Sequence, residues 1–329
     1  MDTASRRKFI QQTGTLAGGA LAIGLTPAAA AASAQESPKS PPKVSKTQML
    51  RALLQKPAVV MAPEAYTVIT AKLAEIHGFE VVYIPGSMMS GTYLGVPDWG
   101  LISPTAMVDI AGHIAREISI PAISDADQAG TTALNVYHTV QQFERAGIAG
   151  IHIEDTLNPK HADQRSRSGL PRFSQPVDLE SLERMVLRIR AAADARSDPD
   201  FVIIARTDEP EIDGILRRGN AFAKAGADVF MPRAVKVDQI DRITREVGLP
   251  LLGVNLPMRD VRGTQLKINV YAGLVSGPAV GLADILLREL KENGEVASRP
   301  ELRLRAEVTA QLTNHAVYGD LAEKWIATP

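Results

Sequence analysis

An α/β barrel of eight strand–helix units, the (β/α)8 or TIM barrel with additional C-terminal helices, is the fold this sequence predicts, on three observations. Eight short apolar runs recur from residue 58 onward. Between them lie segments whose apolar residues return every three or four positions, as on one face of a helix. The runs lack clean two-residue alternation, which suits parallel strands covered by helices. Eight units favour a closed barrel over a doubly wound sheet, and no G-x-G-x-x-G fingerprint follows any run.

In chain order the runs are "AVVMA" (58–62), "FEVVYI" (79–84), "ISIPAIS" (118–124), "GIHIE" (150–154), "FVIIAR" (201–206), "DVFM" (228–231), "LPLLGVN" (249–255) and "INVYA" (268–272). Helical segments such as "AYTVITAKLAEIHG", "ALNVYHTVQQFERAG", "LESLERMVLRIRAAADA" and "GNAFAKAGA" connect them, and the Gly that closes several is a helix stop signal. The tail from Arg299 to Trp325 is helical in pattern and lies beyond the eight units. It is expected to cap the barrel or to pack on a partner subunit.

Residues 1–34 read as an export signal. Arg6, Arg7 and Lys8 precede a weakly apolar stretch to about Leu25, and "ASA" stands before Gln35. Paired arginines followed by Phe9 resemble the twin-arginine type, which implies a periplasmic or secreted protein. The apolar stretch is short and Gly-rich for a stable span, so no membrane insertion is expected after processing. Residues 35–47 are polar and Pro-rich and read as a linker. The catalytic barrel is expected over 48–329, with its helical extension from about 299.

Composition bounds the function. The chain has 329 residues, 45% of them hydrophobic, which is enough to fill a large core. Its formal net charge is -1, so nothing global favours nucleic acid as a partner, and an anionic ligand must be held by a few placed cations. It contains no cysteine, so no thiol can act as nucleophile, acid or metal ligand.

In such barrels chemistry gathers at the C-terminal ends of strands. The third run ends in Asp125 and Asp127, the fourth in Glu154 and Asp155, the fifth in Arg206 and Asp208. Oxygen ligands without His or Cys neighbours suit a hard cation, Mg²⁺ or Mn²⁺, and argue against zinc. Asp98, in "LGVPDWG", is either a ligand or a turn residue. His152, between Ile151 and Ile153, reads as a core histidine, whereas His161 lies beside Lys160 in a polar stretch. Tyr66, Tyr83 and Tyr93 could supply hydroxyls near the rim or simply pack.

Four motifs in order, "YIPGSMMSGTYLGVPD", "ISDADQAG", "AGIAGIHIEDTLNPK" and "IIARTDE", resemble the isocitrate lyase and phosphoenolpyruvate mutase superfamily over about residues 48–290. The resemblance implies an eight-stranded barrel and a homotetramer or homodimer with exchanged C-terminal helices. It also implies Mg²⁺ bound together with a small 2-oxo or 2-hydroxy carboxylate substrate. It makes Asp125 the direct metal ligand, with Asp98, Asp127 and Glu154 acting directly or through water. Arg206 would bind a substrate carboxylate or the developing enolate, the backbone around Gly86 and Ser87 another carboxylate, and Lys160 would reach in from the loop after strand four. Catalysis is thus assigned to Arg206, Lys160 and Glu154.

Departures from that pattern shape the expected reaction. Lyases of the group carry "KRCGH" or "KKCGH" where this chain reads "KHADQRSRSG". The wording "EDTLNPK" is closer to the mutase and phosphonopyruvate hydrolase side. "DADTGYG" has become "DADQAGT", and an early "PGxxD" appears as "PEAYT". A "PE" after strand six is "PR", which puts Arg233 among the expected substrate contacts, and Asn255 in "GVNLP" is another. The expected activity is Mg²⁺-dependent carbon–carbon cleavage, including decarboxylation, of a small 2-oxo or 2-hydroxy di- or tricarboxylic acid through a metal-stabilised enolate. Carbon–phosphorus chemistry of the phosphonopyruvate hydrolase or mutase type and a non-catalytic carboxylate-binding protein are the alternatives.

Overall fold

The computed structural model describes residues 44–158, 160, 179–233 and 235–326. The segment read as a signal, most of the linker, and His161 lie outside the described residues.

Eight parallel strands form one sheet: β1 (Val60–Ala62), β2 (Val82–Ile84), β3 (Ala122–Asp125), β4 (Gly150–Glu154), β5 (Val202–Thr207), β6 (Val229–Pro232), β7 (Leu251–Val254) and β8 (Leu266–Val270). Their spatial order is β1-β8-β7-β6-β5-β4-β3-β2. The ring closes where Glu64 and Tyr83 make a parallel bridge, with Tyr83 N–H donating to Pro63 O and Ala65 N–H to Tyr83 O. Every predicted run overlaps its strand. Pro121 and Pro250 have no N–H to give a ladder, and β3 and β7 begin at the residue after each.

Helices α1 (Lys46–Leu54), α2 (Val68–Ile76), α3 (Gly86–Met89), α4 (Pro104–Arg116), α5 (Ala133–Arg145), α6 (Leu182–Ala195), α7 (Ile212–Ala225), α8 (Ile240–Val247), α9 (Met258–Val261) and α10 (Ser276–Asn293) surround or follow the strands. Their starts are written in the sequence. Ser45, Thr67, Ser103, Thr132 and Ser181 each accept the backbone N–H three residues on, which satisfies a donor the helix itself cannot. Ser45 and Gln48 form a reciprocal capping box, so α1 begins at Lys46, inside the stretch that reads as linker.

Two apolar layers hold the fold. Between strands and helices lie Ile84, Ile151, Ile203 and Phe230 with helix residues such as Val136, Val140, Phe143 and Ile189. Inside the barrel, Val60, Ile123, Val202, Ile204, Met231, Leu252 and Ile268 pack with Leu50, Leu53 and Leu54 of α1, which plugs one end. On β3, β4 and β5 the interior positions further along are the polar Asp125, His152, Glu154 and Arg206, and there the site is built.

Beyond the barrel come α11 (Ala306–Leu312) and α12 (His315–Trp325), within the predicted tail. α10 leaves Val280, Ile285, Leu287 and Leu290 exposed. No described helix is long and apolar enough to cross a membrane.

Candidate active site and metal centre

Strand register assembles the site. Glu154 is paired with Arg206 across β4 and β5, and Asp125 with His152 across β3 and β4. Alternate strand residues share a face, so His152 and Glu154, and likewise Ile204 and Arg206, line the interior together. Asp125, Asp127 and Glu154, all buried, each offer an oxygen, and these oxygens lie within 4.8 Å of one another.

Asp127 is brought in by an unusual loop. Asp127 and Ala129 have φ of 48° and 54°, in the left-handed region that costs a non-glycine residue about 1 kcal/mol or more. Backbone hydrogen bonds hold them there: Ala126 N–H to His152 O (3.1 Å), Glu154 N–H to Asp127 O (2.9 Å) and Ala129 N–H to Ala126 O (2.7 Å). Gly130 follows at φ 109°, where a Cβ would stand 2.4 Å from that of Asn135.

Each carboxylate is oriented by donors. Asp125 accepts Gly86 N–H (3.1 Å) on Oδ2 and Asp127 N–H (2.8 Å) on Oδ1. Glu154 Oε1 accepts Gln128 Nε2 (3.2 Å) and the Thr156 hydroxyl, and Lys160 Nζ lies 3.0 Å from it. Glu154 Oε2 faces Arg206 Nη1 at 2.7 Å. Lys160 also reaches Asp98 (3.3 Å) and Asp127, so one ammonium joins three acids. The Arg206 fork grips Asp208 through Nε (2.8 Å) and Nη2 (3.2 Å), and Arg233 Nη1 meets the same Asp208 Oδ2 at 3.2 Å.

The electrostatics follow from burial and neighbours. Burial pushes Glu154 up, yet Arg206 and Lys160 outweigh it and hold the carboxyl well below its usual range. Asp127 is pushed up to about 8, chiefly by burial and then by Asp125, Glu154 and Asp98, against the pull of Lys160. Burial lowers Lys160, but Glu154, Asp127, Asp125 and Asp98 together raise it well above the ordinary lysine value, so it stays a cation. Burial keeps His152 neutral at neutral pH. Its Nε2 lies 2.9 Å from the Tyr83 hydroxyl and 3.6 Å from Asp125 Oδ1.

These residues fit a hard divalent cation. The converging atoms are all oxygens, and Asp127 Oδ2 is buried with no hydrogen-bond partner, an acceptor left for a cation to satisfy. Around the mouth Asp98, Asp125, Asp127, Glu154 and Asp208 outnumber Lys160, Arg206 and Arg233.

The remaining sequence candidates fall in two groups. Gly86 is buried against Asp125, and Ser87, half-buried, follows it in α3. A Cβ on Gly86 would stand 2.7 Å from Asp125 Oδ2, so only glycine permits this approach. Arg233 joins the cluster through Asp208. Asn255 does not: with φ of 51° it is exposed, and its amide is occupied by the backbone of Ala272, accepting its N–H (2.9 Å) and donating to its O (3.1 Å). Asp155 supports from behind, taking the Thr207 hydroxyl, Asp208 N–H (3.0 Å) and Arg218 (3.2 Å). Gln128 and Thr156 were not legible as site residues, because no motif rule marks a neutral amide or hydroxyl.

Comparison with known proteins agrees with this geometry. The family model described as phosphoenolpyruvate phosphomutase matches residues 50–272. The chain is 38% identical over 202 residues to 2,3-dimethylmalate lyase of Eubacterium barkeri, covering 60% of this chain and 67% of that enzyme. It is 36% identical over 262 residues to oxaloacetate decarboxylase of Pseudomonas aeruginosa, covering 76% and 86%. A solved phosphonopyruvate hydrolase in complex with oxalate and Mg²⁺ superposes with a TM-score of 0.74 at 26% identity, over 86% of this chain and 99% of that one. With the barrel, the strand-end acids and these matches together, the chain belongs to the isocitrate lyase and phosphoenolpyruvate mutase superfamily.

Proposed function

We propose that the protein is a Mg²⁺- or Mn²⁺-dependent carbon–carbon lyase that cleaves a small 2-oxo or 2-hydroxy di- or tricarboxylic acid. The observation that carries this reading is the buried all-oxygen cluster of Asp125, Asp127 and Glu154, faced across the β4–β5 register by the Arg206 fork. When bound there, a divalent cation would polarise the oxo and carboxylate oxygens of such an acid and favour an enolate.

The side chains divide the remaining work. Arg206, locked by Asp208, presents a fixed guanidinium to a carboxylate or to the charge developing at the oxo oxygen. Lys160 stays protonated and adds positive charge without acting as a base. Glu154 stays ionised and accepts hydrogen bonds. Decarboxylation suits a chain without cysteine: the bond from C3 to the distal carboxylate breaks, carbon dioxide leaves, its electron pair forms the enolate, and C3 is protonated afterwards. No base is needed to take a hydroxyl proton and release an aldehyde.

Two further parts of the reading concern assembly and location. The exposed apolar residues of α10 support assembly with further copies of this chain, as a homotetramer or homodimer. The Arg6–Arg7 segment supports twin-arginine export to the periplasm or medium.

The test is turnover by the mature chain from Gln35, loaded with Mg²⁺ or Mn²⁺, followed by NMR. Oxaloacetate, 2-methylisocitrate, isocitrate, 2,3-dimethylmalate and phosphonopyruvate form the panel. Metal-dependent cleavage of a carbon acid, lost in Asp125→Ala, is the expected result. Phosphate released from phosphonopyruvate alone would instead assign carbon–phosphorus chemistry. Metal-dependent binding of an unchanged acid would assign a binding protein.

A further inference from the structure

We infer that Gln128 is a positioning residue for the metal centre: with Thr156 it forms a relay of neutral donors that fixes Glu154 Oε1. The inference rests on the reading of the acid cluster as a divalent-cation site. Gln128 and Thr156 are both buried. The Gln128 amide donates to the Thr156 hydroxyl at 2.8 Å and to Glu154 Oε1 at 3.2 Å, and the Thr156 hydroxyl donates to that same Oε1. Hydrogen bonds in such a chain polarise one another, and together they set the torsion of the carboxylate.

The loop supplies independent support. Gln128 stands between two non-glycine residues with left-handed backbone, Asp127 and Ala129. Such strain persists only where the surroundings hold it. Here it brings Asp127 and Gln128 together to the interior: Asp127 supplies an oxygen to the cluster, and Gln128 holds the carboxylate of Glu154 through its Oε1. Beyond Gly130 the loop is tied down by Arg188, whose Nη2 donates to Thr131 O (2.9 Å) and pairs with Glu180 (3.1 Å). The amide is also suited by its charge. Lys160 and Arg206 already neutralise Glu154, and another cation would oppose a bound metal, whereas an amide orients the carboxylate at no electrostatic cost.

The test measures Mn²⁺ affinity by electron paramagnetic resonance on wild type, Asp125→Ala, Gln128→Met, Thr156→Val and the Gln128→Met/Thr156→Val pair, with the melting temperature of each metal-free protein. Wild type binds and Asp125→Ala does not; a wild type that fails to bind Mn²⁺ overturns the cation reading and this inference with it. Gln128→Met keeps the length of the side chain and removes its donors. It is expected to weaken Mn²⁺ by roughly 10-fold or more, the usual scale for residues that orient a ligand. Thr156→Val should do the same, and the pair should fall within about threefold of the weaker single variant, because both act on one oxygen. A Gln128→Met protein that binds Mn²⁺ within twofold of wild type, or losses that multiply in the pair, would overturn the inference while leaving the cation site standing. A purely structural role would lower the melting temperature without altering Mn²⁺ affinity.

Discussion

Gly86→Ala is the sharpest available perturbation of the acid cluster. Gly86 has ordinary helical backbone at the start of α3, so alanine is conformationally acceptable there and only its methyl group matters. That methyl would stand 2.7 Å from Asp125 Oδ2, 2.9 Å from its Cγ and 3.3 Å from Asp127 Oδ1, where ordinary contact begins near 3.4 Å. Asp125 must therefore retreat by about 0.7 Å, the difference between 3.4 and 2.7 Å. Metal–ligand distances tolerate only about 0.2 Å. Mn²⁺ affinity is expected to fall at least 10-fold, with about 1–3 kcal/mol of stability lost to overpacking. Calorimetric titration with Mn²⁺ and chemical denaturation measure the two effects. Gly91→Ala is the control: nothing lies within 4 Å of its built Cβ, and it should behave as wild type. Full Mn²⁺ affinity in Gly86→Ala would refute the placement of Asp125 as a ligand held against Gly86.

Other perturbations probe separate parts. Arg206→Lys keeps a charge but loses the fork on Asp208, and kcat/KM should fall roughly 100-fold in the substrate assay. Glu64 is buried and accepts N–H groups from Gly273, Val275 and Ser276 at the start of α10, so Glu64→Ala should cost about 3 kcal/mol or more in urea denaturation. Apparent Mn²⁺ affinity should rise with pH, because Asp127 holds its proton up to about pH 8 in the metal-free protein and a cation must displace it. The rise approaches tenfold per pH unit below about 8 and flattens above, and a flat profile from pH 6 to 9 would contradict it.

The strands were legible because barrel strands are buried on both faces and read as continuous apolar runs; "FVIIAR" and "GIHIE" could be little else. Strand-end acids were legible for the opposite reason, since Asp125 and Glu154 interrupt apolar runs and carboxylates are not buried idly. Asn255 stands at an equivalent strand end, yet its left-handed backbone spends the amide on Ala272. Spacing along one strand cannot distinguish these cases. Gln128 and Glu64 act through partners distant in sequence or through backbone N–H groups, which a pattern read along the chain does not contain, and Thr156 reaches its near neighbour Glu154 through a hydroxyl that no pattern marks.

The bridge between Glu64 and Tyr83 gives the ring a seam, and that seam has a dynamic consequence. Seven of the eight junctions are ladders between named strands, whereas β1 and β2 are joined through this bridge and its adjoining bonds. Sub-global opening should begin where pairing is shortest, which is here and between β6 and β7, where Phe230 pairs with Leu251. Tyr83 is also the residue whose hydroxyl meets His152, beside Asp125. A cation drawing Asp125 inward would act as a keystone, slowing amide exchange at Val82 to Ile84 from the neighbouring strand.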